Sequence, residues 1–340
     1  MKRREPAWMR KSDEQLLGMR LCDLKLTLRG SPLQACLAQL HGEFAARGIR
    51  FRPHAWLAED WFSPDGVPGF AMPFYLAHPR LQRLERRMTG EAEGGSAAWR
   101  MRIVRHEAGH AIDNAFRLRR RARWRALFGR ASQRYPREYR ARPASRRHVQ
   151  HLGDWYAQSH PAEDFAETFA VWLQPRSGWR RRYADWPARA KLEYVDGLAA
   201  EFARPRPPVR GRERIEPLAE NTRTLRQHYR AKVAARRSRA LADALLRRAA
   251  RVPAALQGRR EQPLAPLLRA HKKSLRAGLE RKSGANRYTT WQILRLAIER
   301  CERLGLVAQA PQRVLLPRLR AMLLRATQLY LASGQLRVKL

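Results

Sequence analysis

Two histidines four residues apart bracket a glutamate in the run His106-Glu107-Ala108-Gly109-His110. Residues four apart on an α-helix lie about 40° apart around its axis, so both imidazoles face one point. Two neutral imidazoles and a carboxylate brought from elsewhere in the chain make a three-ligand zinc site, with a fourth position left for water. Glu107 is then placed to take the proton of that water. The chemistry predicted is metal-assisted hydrolysis with one zinc ion per chain. Chance alone places such a run roughly 0.02 times in a chain holding ten His and twenty Glu.

The surrounding residues supply the elements this chemistry needs. Trp99, Ile103, Val104, Ala108, Ala111, Ile112 and Phe116 recur near the helical period, and no proline interrupts residues 97–118. The carboxylate is offered further along, at Glu163-Asp164-Phe165-Ala166-Glu167. Pro161 suits the first position of a helix, and the acidic residues fall in the early turns that the helix dipole favours. Phe165, Phe169, Val171, Trp172 and Leu173 give that helix an apolar face. Glu163 and Glu167 share one face, which suits one carboxylate on the metal and a second behind a ligating imidazole. Asp113 stands three residues beyond His110 and either orients a ligand from behind or serves as a surface or capping group. His148 and His151 fit solvated or structural roles better than proton donation.

Together the two motifs resemble a bacterial family of zinc-binding metallopeptidases and, more distantly, the gluzincins that include anthrax lethal factor. The residues that carry the resemblance are HEAGH and the stretch from Tyr156 through His160-Pro161-Ala162-Glu163-Asp164-Phe165-Ala166-Glu167-Thr168-Phe169-Ala170. The resemblance spans about residues 20–200 and implies a zincin-like α+β fold, a small mixed sheet with active-site helices. It implies Glu163 as third zinc ligand, Glu167 as its supporting carboxylate, and Tyr156 as a phenol for the oxyanion. His160 is a further candidate oxyanion or proton donor. HEAGHAI is also similar to the zinc motif of membrane-anchored ATP-dependent proteases. Those need a GxxxxGK[ST] loop, a membrane anchor and an aspartate ligand, which this sequence does not offer.

The second pronounced feature is charge. Lys and Arg number 70 against 30 acidic residues, a formal net charge of +40, and 61 of the 70 are Arg. Such a chain attracts polyanions, so the alternative function is a basic nucleic-acid- or ribosome-associated protein with a catalytically idle zincin fold. No zinc finger or RNP-type motif accompanies the charge, and the aromatic interleaving suited to base stacking is sparse. With 44% hydrophobic residues the chain can build cores. No run approaches 18 apolar residues, and the basic start Met1-Lys2-Arg3-Arg4-Glu5 leads into no apolar core with a cleavage site. Cys22, Cys36 and Cys301 are widely spaced and read as reduced thiols. The expectation is a cytoplasmic protein with no membrane partner.

Along the chain, four segments are expected. Residues 1–20 form a basic tail, 21–203 the peptidase domain, 204–215 a Pro/Arg-rich linker, and 216–340 an all-α basic domain. The first domain should take a peptide or protein substrate, and the last should dock an acidic protein or nucleic acid. Leu24, Leu26 and Leu28 alternate with polar residues as in a strand. Ser31-Pro32 opens a helix to about Ala46, closed by Gly48, and Ile49 and Phe51 suggest a second strand parallel to the first. Ser63-Pro64-Asp65-Gly66 is a turn leading into Val67–Tyr75, which reads either as an edge strand fit to hold an extended peptide or as a Pro-bent loop. Residues 117–147 are an Arg-rich insertion, read as a basic helical hairpin or the rim of a cleft. Leu225 to Arg248 suggests one long helix, and Pro317 should end or kink the last.

Overall fold

The computed structural model describes residues 6–339 apart from 137, 144, 204–205, 238–240, 259–260, 286 and 334–335. It is helix-dominated with small two-stranded sheets, an α+β architecture in two compact units. Unit 1 comprises Met1–Tyr135, Arg146–Leu152 and Tyr156–Ala234, and unit 2 the remaining residues.

Unit 1 begins with α1 (Asp13–Leu17), opened by a capping box in which Ser12 and Gln15 each satisfy the other's amide. Trp8, Leu16 and Leu17 are buried in the core, so residues 6–20 are folded rather than a tail. Helix α2 (Pro32–Ala46) starts where Ser31 accepts the Leu33 amide and Pro32 takes the first turn. No strand forms over 24–30: Cys22–Leu24 is a 3-10 turn, and Lys25 leaves it with φ +47. Leu24 is buried and Leu26 and Leu28 half-buried, so the alternation reports burial, and no strand is formed over it. Residues 49–52 are likewise outside any strand.

The parallel pair is β1 (His54–Ala58) with β2 (Gly69–Pro73), Trp56 facing Ala71. The chain from 59 to 68 joins them, and α2 lies before the pair rather than between its strands. All five residues of β2 are buried. Its other side is taken by Phe62, which bridges Ala71 in antiparallel sense with a 2.8 Å hydrogen bond. The strand expected at the sheet edge is therefore internal, and the edge passes to the segment around Phe62. Pro73 closes the strand and Pro68 precedes it, positions at which a missing N–H is tolerated.

Helices α3 (Pro79–Thr89), α4 (Ala97–Phe116), α5 (Ala122–Phe128) and α6 (Pro161–Leu173) follow. After them come α7 (Trp179–Arg182), α8 (Arg189–Gly197), α9 (Ala199–Phe202) and α10 (Leu225–Arg237). The stretch expected as a Pro/Arg-rich linker is tied to β1 at its end. The ring N–H of His54 donates to the Glu213 carbonyl at 2.7 Å, and the Trp56 indole to that of Ile215 at 2.9 Å.

Unit 2 holds α11 (Leu241–Ala250), α12 (Leu264–Ala270), α13 (Lys272–Ser283), α14 (Arg287–Arg303) and α15 (Gln312–Ser333). They close on Leu264, Leu268, Leu275, Leu279, Leu294, Leu315, Leu319 and Leu323, all fully buried. Two antiparallel strand pairs accompany them: β3 (Glu138–Ala141) with β6 (Leu336–Lys339), and β4 (Gln262–Pro263) with β5 (Val307–Ala308). The unit is thus not all helical, and the Arg-rich insertion yields α5 and β3 rather than a helical hairpin. Pro317 lies inside α15, which runs through it. The long helix expected over 225–248 appears as α10 and α11, with residues 238–240 between them outside the described residues.

Candidate metal centre

Helix α4 carries the first motif. Ser96 caps it, accepting the Trp99 amide, and every residue from Ile103 to Phe116 is buried. Helix α6 carries the second and is buried along its whole length. Gly109 explains how the two come so near: a Cβ there would stand 2.8 Å from the Ala166 Cα and 3.2 Å from the Phe169 Cβ. The variable position inside the histidine motif is therefore a site of backbone-to-backbone approach, open only to glycine.

That approach brings three donor atoms together. His106 Nε2 lies 2.9 Å from Glu163 Oε2, His110 Nε2 lies 3.3 Å from the same oxygen, and the two ring nitrogens are 3.2 Å apart. Three corners of a tetrahedron around zinc, with bonds of about 2.0–2.1 Å, lie roughly 3.3–3.4 Å apart, so the triangle has the size zinc requires. Among the described residues His106, His110 and Glu163 are the group that could hold a metal ion. Behind them, Glu167 Oε1 sits 3.0 Å from His106 Nδ1, while its Oε2 accepts the amides of Leu152 at 2.8 Å and His151 at 3.3 Å. The carboxylate is locked from three sides and orients the imidazole in the way ligating histidines are commonly held.

The electrostatics follow from burial and pairing. Burial disfavours a charged His106, but the hydrogen bonds and charges of Glu163 and Glu167 outweigh it and hold the ring well above its ordinary value. Burial would raise Glu163; the two histidines reverse this and keep it well below the usual carboxylate range. Glu107 is pushed up by burial, with the histidines and Ser63 opposing. The Ser63 hydroxyl donates to Glu107 Oε2 at 2.9 Å. Asn114, two turns further along α4, pins the loop that brings Ser63 there. Its amide donates to the carbonyls of Pro64 and Val67, both at 2.9 Å, and its oxygen accepts the Gly66 amide. Neither Ser63 nor Asn114 stood out in the sequence as part of a site, although the Ser63–Gly66 turn did.

The remaining candidates fall in different places. Tyr156 stacks obliquely near His106, ring centroids 5.6 Å apart. His160 caps α6: its Nδ1 accepts the Ala162 amide and its Nε2–H donates to the Gln133 carbonyl, so both nitrogens are engaged. Asp113 is fully buried on Arg119, which donates to it from backbone and side chain at 2.8 and 2.7 Å. His151 is buried, 2.8 Å from the Arg102 carbonyl, and His148 lies 3.8 Å from Asp164. Tyr135, which carries no motif, donates its phenol to Glu163 Oε1 at 2.8 Å.

A buried His–His–Glu triangle with a supporting carboxylate and a neighbouring glutamate is a donor set that could hold a zinc-type metal ion. Residues 101–178 match the model of the family described as "Putative zinc-binding metallo-peptidase", and both motifs lie within that stretch. No curated protein and no solved structure matches the chain. The family match and the buried cluster together fit a zinc peptidase. No helix among the described residues is long and apolar enough to cross a membrane.

Proposed function

We propose that the chain is a gluzincin-like zinc peptidase built on a zincin-like scaffold, hydrolysing peptide bonds in a protein or peptide. The observation that carries this reading is the convergence of His106, His110 and Glu163 on one point, with the Glu107 carboxylate on the same helix. One zinc ion held by those three would supply Lewis acidity and bring a water's pKa to about 7. Glu107 accepts the water's proton and returns it to the leaving amine. Burial raises its proton affinity, which suits that task, and Ser63 fixes its oxygen. Tyr156 supplies a phenol for the developing oxyanion charge. An extended peptide has a place beside the edge segment around Phe62, one residue from Ser63. Glu107 also speaks against an idle fold, since a purely structural metal has no use for a general base.

The test is elemental analysis of wild type, His106→Ala, Glu163→Ala and Glu107→Gln, followed by hydrolysis of a peptide library. Wild type and Glu107→Gln should hold one zinc per chain, and the other two should lose it. Glu107→Gln should cleave about 10²–10⁴-fold more slowly. A wild type that takes up no zinc on reconstitution overturns the reading.

A further inference from the structure

A carboxylate has two oxygens, and the way Glu163 uses them bears on how many positions a metal would keep free. Oε2 faces both imidazole nitrogens, at 2.9 and 3.3 Å. Oε1 is turned to Tyr135, whose phenol donates to it at 2.8 Å. A carboxylate engaged through both oxygens would fill two positions on the metal and crowd the one that a substrate water needs. A proton donor on Oε1 lowers that oxygen's value as a ligand and leaves Oε2 alone to face the site.

The chain invests several features in bringing Tyr135 there. Helix α5 ends at Gly129, whose φ of +104 turns the chain over Pro161 at the start of α6. The Tyr135 ring then lies flat on His160, centroids 3.8 Å apart and planes within 16°. His160 is fixed in turn. Its Nδ1 accepts the Ala162 amide, so the ring proton is on Nε2 and is given to the Gln133 carbonyl, two residues before Tyr135. Tyr135 is itself 49% exposed, so burial in a core does not account for its place.

We infer that Tyr135 is a positioning residue that holds Glu163 as a one-oxygen ligand, with His160 as its platform. This rests on the zinc reading above. The test measures zinc affinity by competition with a chromogenic chelator, and the visible absorption of the cobalt(II)-substituted protein, which reports coordination number. Wild type, Tyr135→Phe, Tyr135→Leu and Glu163→Ala are compared, with far-UV circular dichroism of the metal-free proteins as the check on folding. Both Tyr135 variants should bind zinc about 10–100-fold more weakly. Their cobalt bands should also lose intensity as Glu163 closes on the metal with both oxygens. If folded Tyr135 variants keep wild-type affinity and spectrum while Glu163→Ala loses the metal, the Tyr135 inference fails and the zinc site stands. If wild type and Glu163→Ala bind zinc equally, the site assignment fails and takes the Tyr135 inference with it.

Discussion

The two units bury different things. Unit 1 places charges inside: Glu43 on Arg105, Asp113 on Arg119, Asp164 on Lys191, Glu85 on Lys232, and the His106–His110–Glu163 cluster. Among the described residues of unit 2 the buried polar side chains are Thr290 and Thr327, both neutral. Yet residues 235–340 carry 24 Lys and Arg against 5 acidic residues. A buried ion pair costs desolvation and stabilises little, so the pairs inside unit 1 add little to its stability. Unit 2 takes its cohesion from leucines and leaves its charge to solvent. The paired charges inside unit 1 are thus screened by protein, whereas the exposed positive charge of unit 2 is open to salt.

Salt should separate them by the largest margin. Lys273, Arg281, Lys282, Arg313, Arg320 and Arg325 are exposed. A protein neutralising six or more phosphates loses about 10³-fold or more in affinity between 50 and 200 mM salt. If the exposed charge engages a polyanion, fluorescence anisotropy with a labelled oligonucleotide should show such a fall, and Lys273→Glu with Arg281→Glu and Lys282→Glu should flatten it. Zinc retained by the same samples should not change over that range. A salt-independent affinity would mean that the exposed charge is not what holds the oligonucleotide.

The opposite kind of perturbation acts on unit 1 alone. Gly109→Ala adds one methyl group where α4 meets the backbone of α6, at a distance no real Cβ tolerates. The helices must part, at a cost of about 3 kcal/mol, and His110 moves away from Glu163. Chemical denaturation should show the lower stability, and zinc titration a weaker site. An unchanged midpoint would show that the interface between the helices yields more readily than its packing implies.

How much of this was legible follows from which interactions leave a period in the sequence. His106 and His110 do, because four residues on a helix make one face, and Glu163 and Glu167 do for the same reason. Gly109 was visible only as an unassigned letter in the motif, since its constraint comes from Ala166, far away in sequence. Tyr135, Ser63 and Asn114 lie on loops or reach loops, and loops have no period to betray a partner. The alternation of Leu24, Leu26 and Leu28 misled in the other direction. It marks which side chains turn inward, which a strand and an irregular segment on a core share, and only a hydrogen-bonded neighbour tells them apart. The order of strands failed similarly: the Pro-bearing segment suggested an edge, but the prolines sit at and before its ends, where they leave both flanks free to pair.

The smallest effect tests whether unit 1's buried polar groups carry the pH cost that their burial implies. His151 is driven down from its ordinary value of 6.5 to about 4, chiefly by burial, with the Glu167 charge and the Arg102 carbonyl opposing and the Arg102 charge assisting. Folded His151 is neutral where the unfolded chain already takes up a proton. Its contribution is therefore complete above pH 6.5 and is lost as the pH falls through about 4, at no more than about 1.4 kcal/mol per pH unit. Asp164 works the other way. Burial lifts it to about 7 despite Lys191, so its contribution is complete below its ordinary value of 3.8 and is lost as the pH rises through 7. The two slopes oppose each other between pH 4 and 6.5, which hides either one in the wild-type curve. The difference between wild type and His151→Gln isolates the histidine, since Asp164 is common to both. Denaturant midpoints measured from pH 7 to 4 should fall more steeply for wild type than for the variant. Parallel curves would mean that His151 meets water before it titrates, and that unit 1 opens locally around Leu152 at a cost below that of global unfolding.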